Sequence, residues 1–225
     1  MQAGPSPIPS RFRDRTDAGR YLGRLLSGYA GRDGVLVLAL PRGGVPVGFE
    51  VARALEVPLD VFVVRKLGVP GHEELAFGAI ASGGAQILNR DVIRHIDLKS
   101  ETIDAVSERE RRELARRERL YRGDRSAREL AEKTVILVDD GLATGASMRA
   151  AVAAVRARRP ARIVVAVPTA ALDTCATLGA EVDELVCPLK PEDFYAVSLW
   201  YDHFEQVSDD EVRKLLERAM RVDGK

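Results

Sequence analysis

Four short stretches of the chain are apolar at nearly every position, Val35 to Leu40, Leu59 to Val64, Val135 to Val138 and Arg162 to Val167, and Val182 to Cys187 is a fifth strand candidate that includes Asp183 and Glu184. None alternates apolar with polar, so each reads as a strand buried on both faces, as in a parallel sheet. Segments with apolar residues at helical spacing lie between and around them. Thr16 or Asp17 is positioned to cap a helix through about Tyr29, with Ala18, Tyr21, Leu22, Leu25 and Leu26 on one side. Further helices are expected from about Val45 to Leu55, from the Ala-rich stretch after Ser147 to about Arg158, and over Leu172 to Leu178. The alternation of strand and helix predicts an α/β fold with a doubly wound, mostly parallel sheet.

Three regions depart from that alternation. Leu67 to Glu74 reads as a loop, and Leu75 to Ala81 with Gln86 to Leu88, split by Ser82-Gly83-Gly84, reads as a hairpin. Ser100 to Tyr121 is a charged helix with a thin apolar stripe of Ile103, Val106, Leu114 and Leu120, and its arginines and glutamates interleave as on a solvated face. Pro188 to Phe204 concentrates aromatic residues, and Ser208 caps a last helix to about Met220 with Val212, Leu215, Leu216 and Ala219 inward. Met1 to Ser10, with three prolines, is expected to be an irregular arm.

Bulk properties add mostly exclusions. The 225 residues suffice for one sizeable core. Lys plus Arg and Asp plus Glu both number 34, so charge alone calls for neither nucleic acid nor an anionic membrane. Cys175 and Cys187 are expected to be small buried residues rather than a disulfide. No run is long and apolar enough to cross a bilayer and no signal-like segment opens the chain, so a cytoplasmic setting is expected.

The chemistry concentrates in Lys133 to Ala151, KTVILVDDGLATGASMRAA. A buried strand ends in two carboxylates, Asp139 and Asp140, and a loop of small and hydroxylated residues then enters a helix. Carboxyl ends of parallel strands are where open α/β sheets bind ligands. Thr144, Gly145, Ala146 and Ser147 offer backbone N–H groups, two hydroxyls and a positive helix end, which suit a phosphate. Two adjacent carboxylates suit sugar hydroxyls or a hard cation such as Mg²⁺. No Gly-Lys-Ser/Thr of a nucleoside-triphosphate loop is present, nor a G-x-G-x-x-G dinucleotide fingerprint. Together these residues describe a sugar-phosphate site.

Val-Ile-Leu-Val-Asp-Asp-Gly-Leu-Ala-Thr-Gly-Ala-Ser resembles the phosphoribosyl-pyrophosphate (PRPP) motif of type I phosphoribosyltransferases. The resemblance implies a core over about 35–187, with a small hood from about 1–34 and 188–225. It implies that Asp139 and Asp140 contact the ribose 2- and 3-hydroxyls and hold Mg²⁺, directly or through PRPP, and that Ala143 to Ser147 wrap the 5-phosphate. Members acting on 6-oxopurines usually carry an Asp where this chain has Ala143, as adenine-type members do not. Arg42-Gly43-Gly44, directly after the first core strand, resembles the pyrophosphate loop, and Arg65-Lys66 resembles a pair near the pyrophosphate. A flap over about 66–90 would close over the reaction, with Glu73 or Glu74 joining Asp139 and Asp140 as catalytic candidates by acting on the incoming base. Phe194, then Tyr195, is expected to stack on that base. The implied activity is transfer of ribose 5-phosphate from PRPP to a nitrogenous base, by a homodimer. A PRPP- or nucleotide-binding regulator on the same fold is the alternative; a sugar-phosphate hydrolase lacks a visible nucleophile-plus-base pair.

Overall fold

The structure is a computed structural model and describes residues 8–223, apart from the side chains of Glu74 and residues 221–223. Helix α1 (Arg15–Leu25) precedes β1 (Val35–Ala39), α2 (Gly44–Leu55) and β2 (Leu59–Val61). An antiparallel unit of β3 (Val64–Val69), β4 (His72–Ala81) and β5 (Ala85–Leu88) follows, then α3 (Arg90–His95) and α4 (Ser100–Arg122). The chain then runs through β6 (Thr134–Val138), α5 (Ala146–Arg156), β7 (Arg162–Ala166), α6 (Leu172–Gly179), β8 (Glu184–Val186) and α7 (Asp209–Asp223).

Five strands form a sheet in the order β2-β1-β6-β7-β8, and every pair is parallel. Both faces of the central strands β1, β6 and β7 are covered, which is why they are apolar along nearly all of their length. Successive side chains of β1 point to opposite faces: Val35, Val37 and Ala39 join one core cluster, Leu36 and Leu38 the other. The first cluster takes in α2, α4 and α7; the second takes in α5 and α6. From β1 the chain moves outward to β2 and returns on the other side of β1 as β6. The crevice between β1 and β6 is therefore the topological switch point, where open α/β sheets place their ligands.

Segments near the two ends of the chain meet in a small cap. Phe12 N–H donates to Trp200 O at 3.0 Å, Asp202 N–H to Phe12 O at 2.9 Å and His203 N–H to Arg13 O at 2.9 Å. Phe12, Tyr21 and Tyr201 are buried together, with Phe204 packed against them. Four local expectations are corrected. The α1 cap is Asp14, whose carboxylate accepts from Asp17 N–H at 2.7 Å, and not Thr16 or Asp17. Leu67 to Glu74 is not a loop: β3 and β4 run through it because the hairpin turns at Gly71, whose φ of 80° suits glycine. The apolar run from Leu59 does not make one strand, since β2 ends at Val61 and Val64 starts β3 in the antiparallel unit. Strand β8 covers only Glu184–Val186 of the expected Val182 to Cys187. The thiols of Cys175 and Cys187 are buried and free, as expected.

Arg122, at the end of α4, packs into the fold rather than facing solvent. Its Nε donates to both Asp60 oxygens at 2.9 and 3.1 Å, and Arg122 and Asp60 are each 7% exposed. Removing one partner of such a pair under-compensates a buried charge, and without Asp60 only Glu118, 2.8 Å from Arg122 Nη1, would still pair with it. Asp60→Ala is expected to cost about 3–5 kcal/mol in urea unfolding, and a double Asp60→Leu/Arg122→Met variant should recover most of it. A double variant no more stable than Asp60→Ala would show that packing, not the stranded charge, sets the loss.

Candidate active site

Strands β1 and β6 pair in register, Leu38 opposite Leu137 and Ala39 opposite Val138, and Leu40 N–H extends the ladder to Val138 O at 2.9 Å. The two strands therefore end at one level, and the loops that follow them leave side by side. Pro41-Arg42-Gly43-Gly44 is one, with a cis Pro41–Arg42 peptide; Asp139 to Gly145 is the other. They touch so closely that a Cβ on Gly43 would overlap Asp140 Oδ2, and one on Gly44 would lie 2.7 Å from Val138 O. Backbone leaves no room for a side chain at Gly44, while at Gly43 one would have to displace the Asp140 carboxylate.

Asp139 and Asp140 are both partly buried. Asp139 Oδ1 accepts from Asp140 N–H at 2.9 Å. Burial, and then the adjacent Asp140 carboxylate, push the Asp139 carboxyl well above the usual range, with Arg15 pulling the other way. Asp140 Oδ2 accepts from Arg15 Nε at 2.8 Å, and Asp140 O accepts from Tyr201 OH at 2.5 Å.

The second loop leads into α5. Gly145 has φ of 69°, and a Cβ there would meet Thr174 Cγ2 at 2.7 Å. Thr174 Oγ1 in turn donates to Ala143 O at 2.6 Å, so α6 braces the loop from behind. Helix α5 starts without a side-chain cap, and Ala143, Thr144, Ala146 and Ser147 are exposed around its first turn. Ala146 N–H has only a long contact of 3.5 Å to Thr144 Oγ1, and a helix start of this kind with flanking hydroxyls can receive an anion.

The structure brings some of the other candidates here. Arg42 Nη1 lies 4.0 Å from Asp209 Oδ1 at the start of α7. That same oxygen accepts from Tyr121 OH at 2.7 Å, and burial followed by the Asp209 carboxylate raises Tyr121 to about 12. Lys66 lines a cleft of about 560 Å³ with Thr144, Ala146 and Arg149, between the antiparallel unit and α5. Arg65 goes elsewhere: its Nε and Nη2 donate to Oε2 of buried Glu110 at 2.9 and 2.6 Å. Its charge is taken up within the fold because it stands in β3 and not at the end of a main-sheet strand. Arg122 is held by Asp60, and Arg125, three residues on, by the carbonyls of Arg122 and Tyr121, so both are engaged within the fold.

Glu73 is exposed near the tip of the hairpin, where its own backbone N–H and then that of Gly71, which donates to it at 3.2 Å, hold its carboxyl below the usual range. The side chain of Glu74 lies outside the described residues. Phe194 stacks on Trp200, with centroids 6.2 Å apart and planes 20° apart, while Tyr195 is 84% exposed. The hood residues that do touch the motif are others. Val197 packs where a Gly141 Cβ would stand, at 2.6 Å, and Tyr201 and Arg15 hold Asp140. Arg15, Tyr201, Val197 and Thr174 carry no motif, and no local signal in the sequence singles them out.

With the fold and this geometry in view, the family is clear. The model of the phosphoribosyl transferase domain matches residues 16–177, and the chain belongs to that family. It is 48% identical over 210 residues to proteins of two Mycobacterium tuberculosis strains, CDC 1551 / Oshkosh and H37Rv. Both are named as phosphoribosyl transferases with the activity marked as unproven. Those matches cover 93% of this chain and 47% of each relative, so the chain spans about half the length of the curated relatives it matches. The crystal structure of TT1426 from Thermus thermophilus is similar throughout, with a TM-score of 0.82 and 41% identity, covering 92% of this chain and 98% of that one.

The raised Asp139 gives a test with a definite sign. A carboxyl whose folded pKa is raised favours folding while protonated and loses that contribution as pH rises through its folded pKa. Asp139→Asn keeps an acceptor for Asp140 N–H and removes the charge. Its Tm at pH 7 should exceed wild type, with the gain shrinking as pH falls and vanishing below about 4, the ordinary carboxylate range. A variant no more stable than wild type at pH 7 would contradict this. Gly43→Ala should instead lower stability by about 1–3 kcal/mol, through displacement of the Asp140 carboxylate; an unchanged urea midpoint would show that the contact relaxes freely.

Proposed function

We propose that the chain transfers ribose 5-phosphate from PRPP, presented with Mg²⁺, to a nitrogenous base and releases pyrophosphate. The observation that carries this is the convergence, at the β1/β6 switch point, of a two-glycine loop, two adjacent carboxylates and an exposed, uncapped helix start. In this reading the amides and hydroxyls of Ala143 to Ser147 hold the 5-phosphate. Asp139 and Asp140 accept from the ribose hydroxyls. Arg42, the Gly43-Gly44 amides and Lys66 attend the pyrophosphate, and Phe194 or Tyr195 the base. As the bond from the anomeric carbon to pyrophosphate oxygen breaks, the base nitrogen forms its bond to that carbon, and Glu73 or Glu74 accepts the proton the base gives up. The protein's contribution is orientation and placement of charge around an oxocarbenium-like transition state.

Mg²⁺ fits as a passenger of the substrate. Among the described residues no group of three or more His, Cys, Asp or Glu side chains could hold a metal. Two carboxylates beside a polyphosphate are the setting in which Mg²⁺ is usually bound, and there it would offset pyrophosphate charge. Among the described residues no helix is long and apolar enough to cross a membrane. A cytoplasmic homodimer remains part of the proposal on family resemblance.

One observation favours a second reading, a regulator that binds PRPP or a nucleotide without transfer. Asp140 is already paired with Arg15, and Val197 packs directly on Gly141. Calorimetric titration with PRPP and Mg²⁺, followed by a panel of purines, pyrimidines and other amines assayed for pyrophosphate release, separates the two. Saturable binding with release for at least one base is expected, and Asp140→Asn should weaken binding roughly 10-fold or more. Binding without release for any base selects the regulator. Absence of binding, or an Asp140→Asn variant that binds as wild type does, ends the assignment.

A further inference from the structure

The carboxylate of Asp140 is fixed from two directions. Gly43 stands against its Oδ2 with no room for a Cβ, and Arg15, 125 residues away in sequence, donates to the same oxygen through Nε at 2.8 Å. The pair is well covered, with side-chain exposures of 11% and 15%. Arg15 is itself held by the other end of the chain. Its Nη1 donates to Glu205 O at 2.7 Å, and its guanidinium carbon sits 3.8 Å over the Phe204 ring. Phe204 packs on Tyr201, centroids 5.0 Å apart, and Tyr201 OH returns to the main-chain oxygen of Asp140. One planar guanidinium therefore joins α1, the segment before α7 and the acid pair, using its face and two separate donors.

We infer that Arg15 is a positioning residue for pentose binding: it holds Asp140 in the orientation that receives the ribose hydroxyls, so that seating of the hood and the grip on the sugar are one event. The inference rests on the proposed PRPP site and adds a residue outside its motif. A fixed acceptor needs no reordering when the sugar arrives, whereas a free carboxylate gives up rotamer freedom on binding. The anion ends of the site are built differently: the 5-phosphate end from backbone groups of the second loop braced by Thr174, and the pyrophosphate end from Arg42, Lys66 and the Gly43-Gly44 amides, whereas Arg15 bonds Asp140 and Glu205. Loss of Arg15 should therefore weaken ligands that carry the ribose and spare those that carry phosphate groups alone, a separation that general damage to the fold would not produce.

The test compares two probes by calorimetry, PRPP with Mg²⁺ and inorganic pyrophosphate with Mg²⁺, on wild type, Arg15→Gln, Arg15→Lys and Phe204→Leu. Arg15→Gln is expected to weaken PRPP roughly 10-fold or more, the scale of a lost charge-assisted hydrogen bond, and to leave pyrophosphate affinity unchanged. Arg15→Lys, which keeps charge without the fork, should fall between, and Phe204→Leu should show a smaller loss in the same direction. If Arg15→Gln does not fold, the other two variants decide by the same pattern. Equal loss for both probes, or no loss for PRPP in any variant, overturns the inference alone when wild type binds PRPP. A wild type that fails to bind PRPP overturns the proposed function and this inference together.

Discussion

In-register parallel pairing of β1 with β6 governs the site. Adjacent strands stand about 4.8 Å apart, so two that end at the same level deliver their following loops into contact. Ala39 opposite Val138 sets that level, and Leu40 N–H to Val138 O extends it by one bond. From that point there is little room. Gly43 and Gly44 are needed because Asp140 and the end of β6 already occupy the space a side chain would take. A shift of one strand by one residue would also turn its buried apolar residues to the opposite faces. Core packing and loop placement are enforced by the same ladder.

The electrostatics follow from this crowding. Two carboxylates are held side by side at a partly buried strand end, where burial and the neighbouring charge of Asp140 disfavour ionisation of Asp139. Arg15 offsets part of that cost from the hood. The fold thus maintains a locally unfavourable group of charges, a feature that clusters at functional sites in general. Elsewhere the charges are paired for the fold's own sake. Asp60 with Arg122, and Glu110 with Arg65, tie α4 to β2 and β3 and leave no cation of these pairs facing the site.

The strands, most helices and the acid-pair motif were legible in the sequence because each is specified by neighbouring residues. A fully apolar run implies cover on both faces, and Asp-Asp followed by small and hydroxylated residues implies a strand end that meets an anion. The misread parts depended on partners distant in sequence. The run from Leu59 to Val64 looks continuous, yet the chain leaves the main sheet after Val61 and Val64 begins an antiparallel unit. Arg65 looks like a free cation at a strand end until Glu110, 45 residues later, closes on it. The aromatic cluster of the C-terminal segment was recognisable as a group, but which members face the motif was not. Phe194 turns to Trp200, while Val197 and Tyr201 make the contacts.

A doubly wound α/β sheet, its order of strands and helices, and a sugar-phosphate motif at one strand end can all be read from the amino-acid order, because periodicity and local loop chemistry are written in consecutive residues. Folding in three dimensions settled which loop stands against Asp140, which arginines are paired within the fold, and that Arg15 of the first helix reaches the acid pair. Those outcomes depend on strand register and on contacts between distant parts of the chain, as in the 125-residue separation of Arg15 and Asp140. No short window of sequence encodes such contacts.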